Sequence, residues 1–332
     1  MQWSQSAEYG FALGRVRALE PSLFDRPRYE RFITAADSRE LVALVVDAGY
    51  GRYAGRGEET SLDEMLSAAQ RENAAFLYQY CRLLEVRTLF FLAADLNRLK
   101  AAVKQRLGAR HPMTAAGHGL GGTWTDAQLA ALAAAQAGAQ PEVIRLAVAR
   151  VLAAAEPFAP ETVDSTLDIA GQQYLLQVVN AAPFLRALAA LRADLANLRA
   201  LVRSRAVDEP PAALASSLLP GGNIDRRTLA AAGGADWEGV VAAVRDTRFG
   251  GLVADGVAFL REQRSLVRLE RLTREEEIRF LRQTRYVAMG YEPLLAFCLQ
   301  REAEITNLRL LHAAKLTGMP AEACREVVAY VN

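Results

Sequence analysis

One six-residue pattern occurs three times along the chain: Asp95-Leu96-Asn97-Arg98-Leu99-Lys100, Asp194-Leu195-Ala196-Asn197-Leu198-Arg199 and Glu304-Ile305-Thr306-Asn307-Leu308-Arg309. Each copy reads acid, Leu or Ile, any residue, Asn or Arg, Leu, base. The acids stand 99 and 110 residues apart. A further base follows each copy at the same offset (Arg106, Arg205, Lys315), and then a proline (Pro112, Pro210, Pro320). A period near one hundred is too long for the roughly 20–50-residue units of solenoids. It suits three small domains of one design, 1–116, 117–219 and 220–332. The Gly/Pro-rich stretches 108–123 and 208–223 would link them, where helices are expected to stop.

Two weaker echoes keep the same order. Gly121-Gly122 and Gly221-Gly222 each precede a short helical segment with Leu129 or Leu229. Asp47-Ala48-Gly49-Tyr50-Gly51 is matched by Asp246-Thr247-Arg248-Phe249-Gly250, two periods later, and the middle unit lacks a clean copy of this turn.

The units are expected to be all-α. Leu185, Leu188, Leu191, Leu195, Leu198 and Val202 recur at three- and four-residue steps, which draws one apolar stripe along a helix. From Arg261 to Arg285, charges of both signs alternate around Leu266, Leu269, Leu272, Ile278 and Leu281. That pattern predicts one long, solvated, salt-bridged helix. Period-2 segments bounded by hairpin turns do not stand out, and 62 alanines against 12 prolines favour helix.

Composition narrows the function classes. Thirty-nine Lys and Arg against 38 Asp and Glu leave a net charge of +1, without the basic excess of a nucleic-acid protein. Cys81, Cys298 and Cys324 are too few and scattered for a disulfide framework or a zinc site, which suits a reducing compartment. The longest uncharged apolar run, Ile169 to Leu185, is broken by polar residues and Pro183. It is shorter than the roughly 20 residues of a spanning helix. The first residues show neither the basic region nor the apolar core of a signal peptide.

On a helix, the acid of each copy lies beside the residue three positions on, while the second and fifth positions point into packing. Asp95 and Arg98 are therefore expected to form an i,i+3 ion pair. Asn197 and Asn307 carry an amide to the margin of an apolar stripe, where a buried amide must find partners. Two readings stay open for Asp95, Arg98, Lys100, Asp194, Asn197, Arg199, Glu304, Asn307 and Arg309. They fix the packing of each domain, or they line a surface on which a partner docks.

No catalytic, cofactor or metal site is expected. Gly117-His118-Gly119-Leu120-Gly121-Gly122 matches the dinucleotide fingerprint formally, but no strand precedes it. No Lys follows a glycine-rich loop as a phosphate-binding loop requires. His111, His118 and His312 lack metal-ligand spacing. The acidic run Glu275-Glu276-Glu277, flanked by Arg274 and Arg279, reads as a solvated face.

A further set of segments joins the three hexamers: Tyr9 to Ala18, Pro220-Gly221-Gly222, Gly290-Tyr291-Glu292-Pro293-Leu294-Leu295 and Leu316-Thr317-Gly318-Met319-Pro320. Together they resemble the C-type subunit of the vacuolar/archaeal-type rotary ATPases, whose eukaryotic counterpart is the d-type subunit. The resemblance covers nearly the whole chain and is most specific over the last 45 residues. It departs at the middle unit's missing aromatic-Gly turn and at Arg98, where the other copies have Asn. It implies three similar helical domains around a pseudo-threefold axis, forming a funnel. It also implies a non-catalytic rotor part on the cytoplasmic face of a membrane. Its partners would be the proteolipid ring and the coiled-coil central shaft, with the stator membrane subunit as a further contact, and neither nucleic acid nor a small-molecule substrate. The alternative is an all-α scaffold or regulatory protein unrelated to rotary motors, with a helical enzyme third.

Overall fold

The computed structural model describes residues 7–55, 61–108, 122–154 and 159–330. Among them are sixteen α-helices, four short 3-10 helices and no strand. In chain order the helices are α1 (Gly10–Leu19), α2 (Arg26–Thr34), α3 (Ser38–Asp47), α4 (Leu62–Tyr80), α5 (Leu84–Arg106), α6 (Asp126–Ala133), α7 (Glu142–Ala153) and α8 (Pro160–Val178). They continue with α9 (Pro183–Ala206), α10 (Pro211–Ser217), α11 (Arg226–Ala232), α12 (Trp237–Val244), α13 (Gly250–Gln263), α14 (Val267–Leu281), α15 (Glu292–Leu316) and α16 (Ala321–Val327). The fold is all-α.

The described residues fall into two compact units. One lies within Leu83–Val253; the other joins residues from Gln2–Arg82 and Ala254–Asn332. The second unit therefore holds both the early and the late parts of the chain.

Helix starts follow local chemistry. Asp25 and Asp37 accept backbone N–H groups at the heads of α2 and α3. Ser61 with Glu64, and Thr125 with Gln128, form capping boxes on α4 and α6. The three hexamers lie on α5, α9 and α15, the longest helices among the described residues at 23, 24 and 25 residues. The stripe on α9 packs as its spacing demands: Leu185, Leu188, Leu191, Leu195, Leu198 and Val202 are all buried.

Two expectations are corrected. The charged stretch from Arg261 to Arg285 is two helices and a 3-10 turn, not one long helix. Arg264 adopts a left-handed conformation (φ 54°), and Ser265 Oγ accepts the N–H of Val267, so the chain turns between α13 and α14. The acidic run is not wholly solvated: Glu276 is only 4% exposed and bonds Arg279, while Glu275 pairs with Arg271 at 2.9 Å. At the second linker α9 ends at Ala206, and a short helix of its own follows, since α10 opens on Pro211, where a missing N–H costs nothing, and closes at Ser217. Pro320 likewise precedes α16, whereas Pro112 lies outside the described residues.

Among the described residues no helix is long and apolar enough to cross a membrane.

Candidate functional site

The hexamer acids Asp95, Asp194 and Glu304 are each 0% exposed, and each grips a backbone turn. Asp95 accepts the Thr123 N–H at 2.8 Å, the Thr123 hydroxyl at 2.8 Å and the Trp124 N–H at 3.2 Å. Asp194 accepts the Asn223 N–H at 3.0 Å, its side-chain amide at 3.0 Å and the Ile224 N–H at 3.0 Å. Glu304 accepts the Phe24 N–H at 2.6 Å and the Tyr50 hydroxyl at 2.8 Å. Phe24, Trp124 and Ile224 are one hundred positions apart, and each sits just before a helix start, that of α2, α6 or α11.

A buried carboxylate is costly unless donors surround it. Burial pushes the Asp95 and Glu304 carboxyls above the usual carboxylate range. The donors oppose that: the Thr123 hydroxyl and N–H at Asp95, and the Phe24 N–H at Glu304. Arg98 adds the expected ion pair with Asp95 at 3.6 Å.

The fourth position of the hexamer forms a second lock. Asn197 Nδ2 donates to the Leu219 carbonyl at 2.9 Å, and its Oδ1 accepts the Leu219 N–H at 2.7 Å. Asn307 repeats this on Ala329: Nδ2 donates to the carbonyl, and Oδ1 accepts the N–H at 3.0 Å. Both pairs span 22 residues, across α10 in one copy and α16 in the other. Asn307 also donates to the Tyr29 hydroxyl at 3.1 Å. In the first copy, Arg98 donates to the Trp124 carbonyl at 3.1 Å and to Asp126 at 2.7 Å.

The sixth position ties the long helix sideways. Lys100 pairs with Asp168 on α8 at 2.6 Å. Arg309 reaches Asp63, Ser67 and Gln70 on α4 at 3.1, 3.2 and 3.1 Å. Arg199 likewise has an interaction partner. The later bases act on backbone or neighbours: Lys315 donates to the Ile33 and Ala35 carbonyls at 2.7 and 2.6 Å, and Arg205 lies over the Trp237 ring.

Each hexamer thus unites an acid, an amide or guanidinium, and a base around its own helix. None of these side-chain contacts gathers the three copies into one constellation. With their oxygens enclosed, the carboxylates hold turns in place and do not face a substrate. What the sequence pattern missed is the receiving side, namely Phe24, Thr123, Trp124, Asn223 and Ile224. The Gly-Gly echo was the available signal, because a Cβ on Gly122 or Gly222 would collide with the Asp95 or Asp194 carboxylate. The hundred-residue spacing of Phe24, Trp124 and Ile224 carries the same signal.

The other sequence candidates either lie outside the described residues or are buried or half-buried singly. The glycine-rich match lies outside the described residues except for Gly122, as do His111 and His118. His312 is half-buried on α15. Cys81, Cys298 and Cys324 are buried free thiols. Among the described residues, no group of three or more His, Cys, Asp or Glu could hold a metal ion.

The family model described as ATP synthase (C/AC39) subunit matches residues 12–327. A comparison with curated proteins found no match.

Proposed function

The chain belongs to the ATP synthase (C/AC39) subunit family, a subunit of the rotor or stalk of V/A-type ATPases, and from that premise we propose that it is a non-catalytic socket. In this reading it joins the proteolipid ring of the membrane sector to the coiled-coil central shaft, on the cytoplasmic face, and transmits torque between ATP turnover and ion transport. Its three units, 1–116, 117–219 and 220–332, form a funnel around a pseudo-threefold axis.

The observation that carries this reading is the family match over 316 of 332 residues, from 12 to 327. The locks support it. Asp95 at the end of the first unit holds the opening turn of the second, Asp194 in the second holds that of the third, and Glu304 in the third holds that of the first. Buried clasps of this kind, each within one compact unit, supply stiffness, which is what a torque-bearing part needs. Enclosed carboxylates suit a mechanical role better than a chemical one.

The test uses the complete ATPase in sealed vesicles, prepared with and without this chain. Hydrolysis by the head should persist without it, while ATP-driven ion pumping should disappear. An equal fall in hydrolysis by the detached head would make the chain part of catalysis and overturn the reading. Docking through Lys100, Arg199 and Arg309 is examined by replacing all three with Glu in the same vesicles. Weaker, more salt-sensitive assembly supports a docking role. Unchanged assembly places the docking surface elsewhere.

A further inference from the structure

A cleft of about 400 Å³ opens beside the 3-10 turn Arg282–Tyr286, which joins the end of α14 to the start of α15. It is lined by Glu20, Leu23, Arg282, Thr284, Arg285 and Gln300. Residues three apart on a 3-10 helix eclipse one another, so Arg282 and Arg285 stand on one edge of the turn. Glu20, the single acid of the lining, is already engaged: Arg17 Nη1 donates to both of its oxygens at 2.7 and 2.9 Å. The Thr284 hydroxyl is spent on the Leu281 carbonyl at 2.9 Å.

The cleft is also held open. Arg17 Nη2 donates to the Arg285 and Val287 carbonyls, both at 3.0 Å, so one guanidinium fixes the backbone that carries the basic edge. Burial pushes the Arg282 guanidinium below its ordinary value, and the like charges of Arg279 and Arg285 push it further. The Glu275 carboxylate favours the charge on Arg282, but burial and like charge outweigh it. Crowded guanidinia around a polar cleft gain most from an anion that carries more than one charge.

We propose that this cleft binds an anion with two adjacent phosphate groups, held between the Arg282 and Arg285 forks with Gln300 as a third donor. Paired planar forks match phosphate oxygens bidentately, which Lys would not do. The volume lies within the range of small-ligand sites, about 300–1,000 Å³. Free pyrophosphate and the diphosphate of a nucleotide share this chemistry. The site needs only residues within one compact unit, so it stands apart from the socket reading and does not require an assembled motor.

The experiment is calorimetric titration of the purified full-length chain at fixed ionic strength with inorganic pyrophosphate, with ADP, and with sulfate as a single-oxyanion control. One-to-one binding of pyrophosphate or ADP, at least tenfold tighter than sulfate, is expected. Arg285→Ala, at an exposed position, should weaken it about tenfold, and Arg282→Ala with Arg285→Ala should abolish it. Circular dichroism confirms that each variant is folded. Arg150→Ala, on α7, should change nothing. ADP binding tenfold tighter than pyrophosphate assigns the site to nucleotides, and equal affinities assign it to the diphosphate alone. Absence of binding, binding no tighter than sulfate, or equal binding by the Arg285→Ala chain overturns the proposal. None of these results bears on coupling in the vesicle experiment.

Discussion

Asp194 and Glu304 do the same task at different reach. Asp194 holds a turn 29 to 30 residues further along the chain, whereas Glu304 holds Phe24, 280 residues earlier. The shorter acid requires the backbone to come close, and Gly222 supplies the room: a Cβ there would strike the carboxylate. Gly122 stands in the same relation to Asp95. The corresponding turn before Phe24 reads Ser22-Leu23, without glycine, and there the acid is one methylene longer and takes its second donor from the Tyr50 hydroxyl. Side-chain length and backbone approach thus trade against each other. The local lock could form early, because its loop is short, whereas the other waits for distant segments to meet.

The largest effects should come from removing the acids. Glu304→Ala leaves the Phe24 N–H and Tyr50 hydroxyl unpaired, and at about 1–3 kcal/mol per buried orphan the loss is about 3 kcal/mol or more. Asp194→Ala should cost a similar amount, read as a fall in urea midpoint. Hydrogen exchange separates the two locks. The first variant should open residues near 22–34 and the second those near 218–232. Identical exchange patterns would show that the locks are not equivalent devices on separate turns.

Next come changes of shape. Gly222→Ala and Gly122→Ala should each cost about 1–3 kcal/mol, because a clash with a buried carboxylate cannot relax cheaply. Ser22→Ala, at the glycine-free turn, should be nearly silent by the same denaturation assay. A large loss there would break the argument that a longer acid frees its turn from glycine. Glu304→Asp, one methylene too short, should behave like a partial deletion.

The amide locks should follow. Asn197→Ala strands both polar groups of Leu219, and about 2 kcal/mol is expected. Asn307→Ala should cost more, since the Tyr29 hydroxyl and Arg274 also bond that amide. Equal midpoints for the two variants would mean that the Tyr29 and Arg274 bonds contribute little.

Much of this was legible in the sequence. The leucine stripe of α9, the Asp95–Arg98 pair and the need of Asn197 and Asn307 for partners follow from helical periodicity and the cost of a buried amide. Both asparagines grip backbone beyond a short helix, and Asn307 also meets side chains of two other helices, Tyr29 on α2 and Arg274 on α14. What stayed hidden has physical causes. The donors to the acids are mostly backbone N–H groups, which any residue supplies, so Phe24, Trp124 and Ile224 share a buried apolar side chain but no donor that marks them in the sequence. The break at Arg264 depends on a single left-handed residue inside an otherwise helical charge pattern. The stop at the 208–223 stretch is legible, with α9 ending at Ala206, but the short α10 inside it is not, because proline in the first turn starts a helix as readily as it stops one.

The smallest expected effect lies away from the locks, in a paired carboxylate that contrasts with the buried acids. Glu326 is partly exposed and accepts from Arg268 Nε at 3.0 Å and Nη2 at 2.8 Å. The Arg268 hydrogen bonds hold its carboxyl below the usual range, whereas burial raises Asp95 and Glu304. The signs are opposite. A lowered carboxyl contributes stability above its unfolded value, near pH 4.5, and loses it as the pH falls through the folded value. A raised carboxyl contributes below the unfolded value and loses its share as the pH rises. Glu326→Gln should therefore cost on the order of 1 kcal/mol at pH 7 and almost nothing near pH 3, so the variant's Tm approaches that of the parent on acidification. Asp95→Asn should not converge in this way, because the carboxyl it removes favours its protonated form. Thermal melts of both variants and the parent at about pH 7, 5 and 3 check this, and convergence by Asp95→Asn but not Glu326→Gln would reverse the assignment of the two carboxyls.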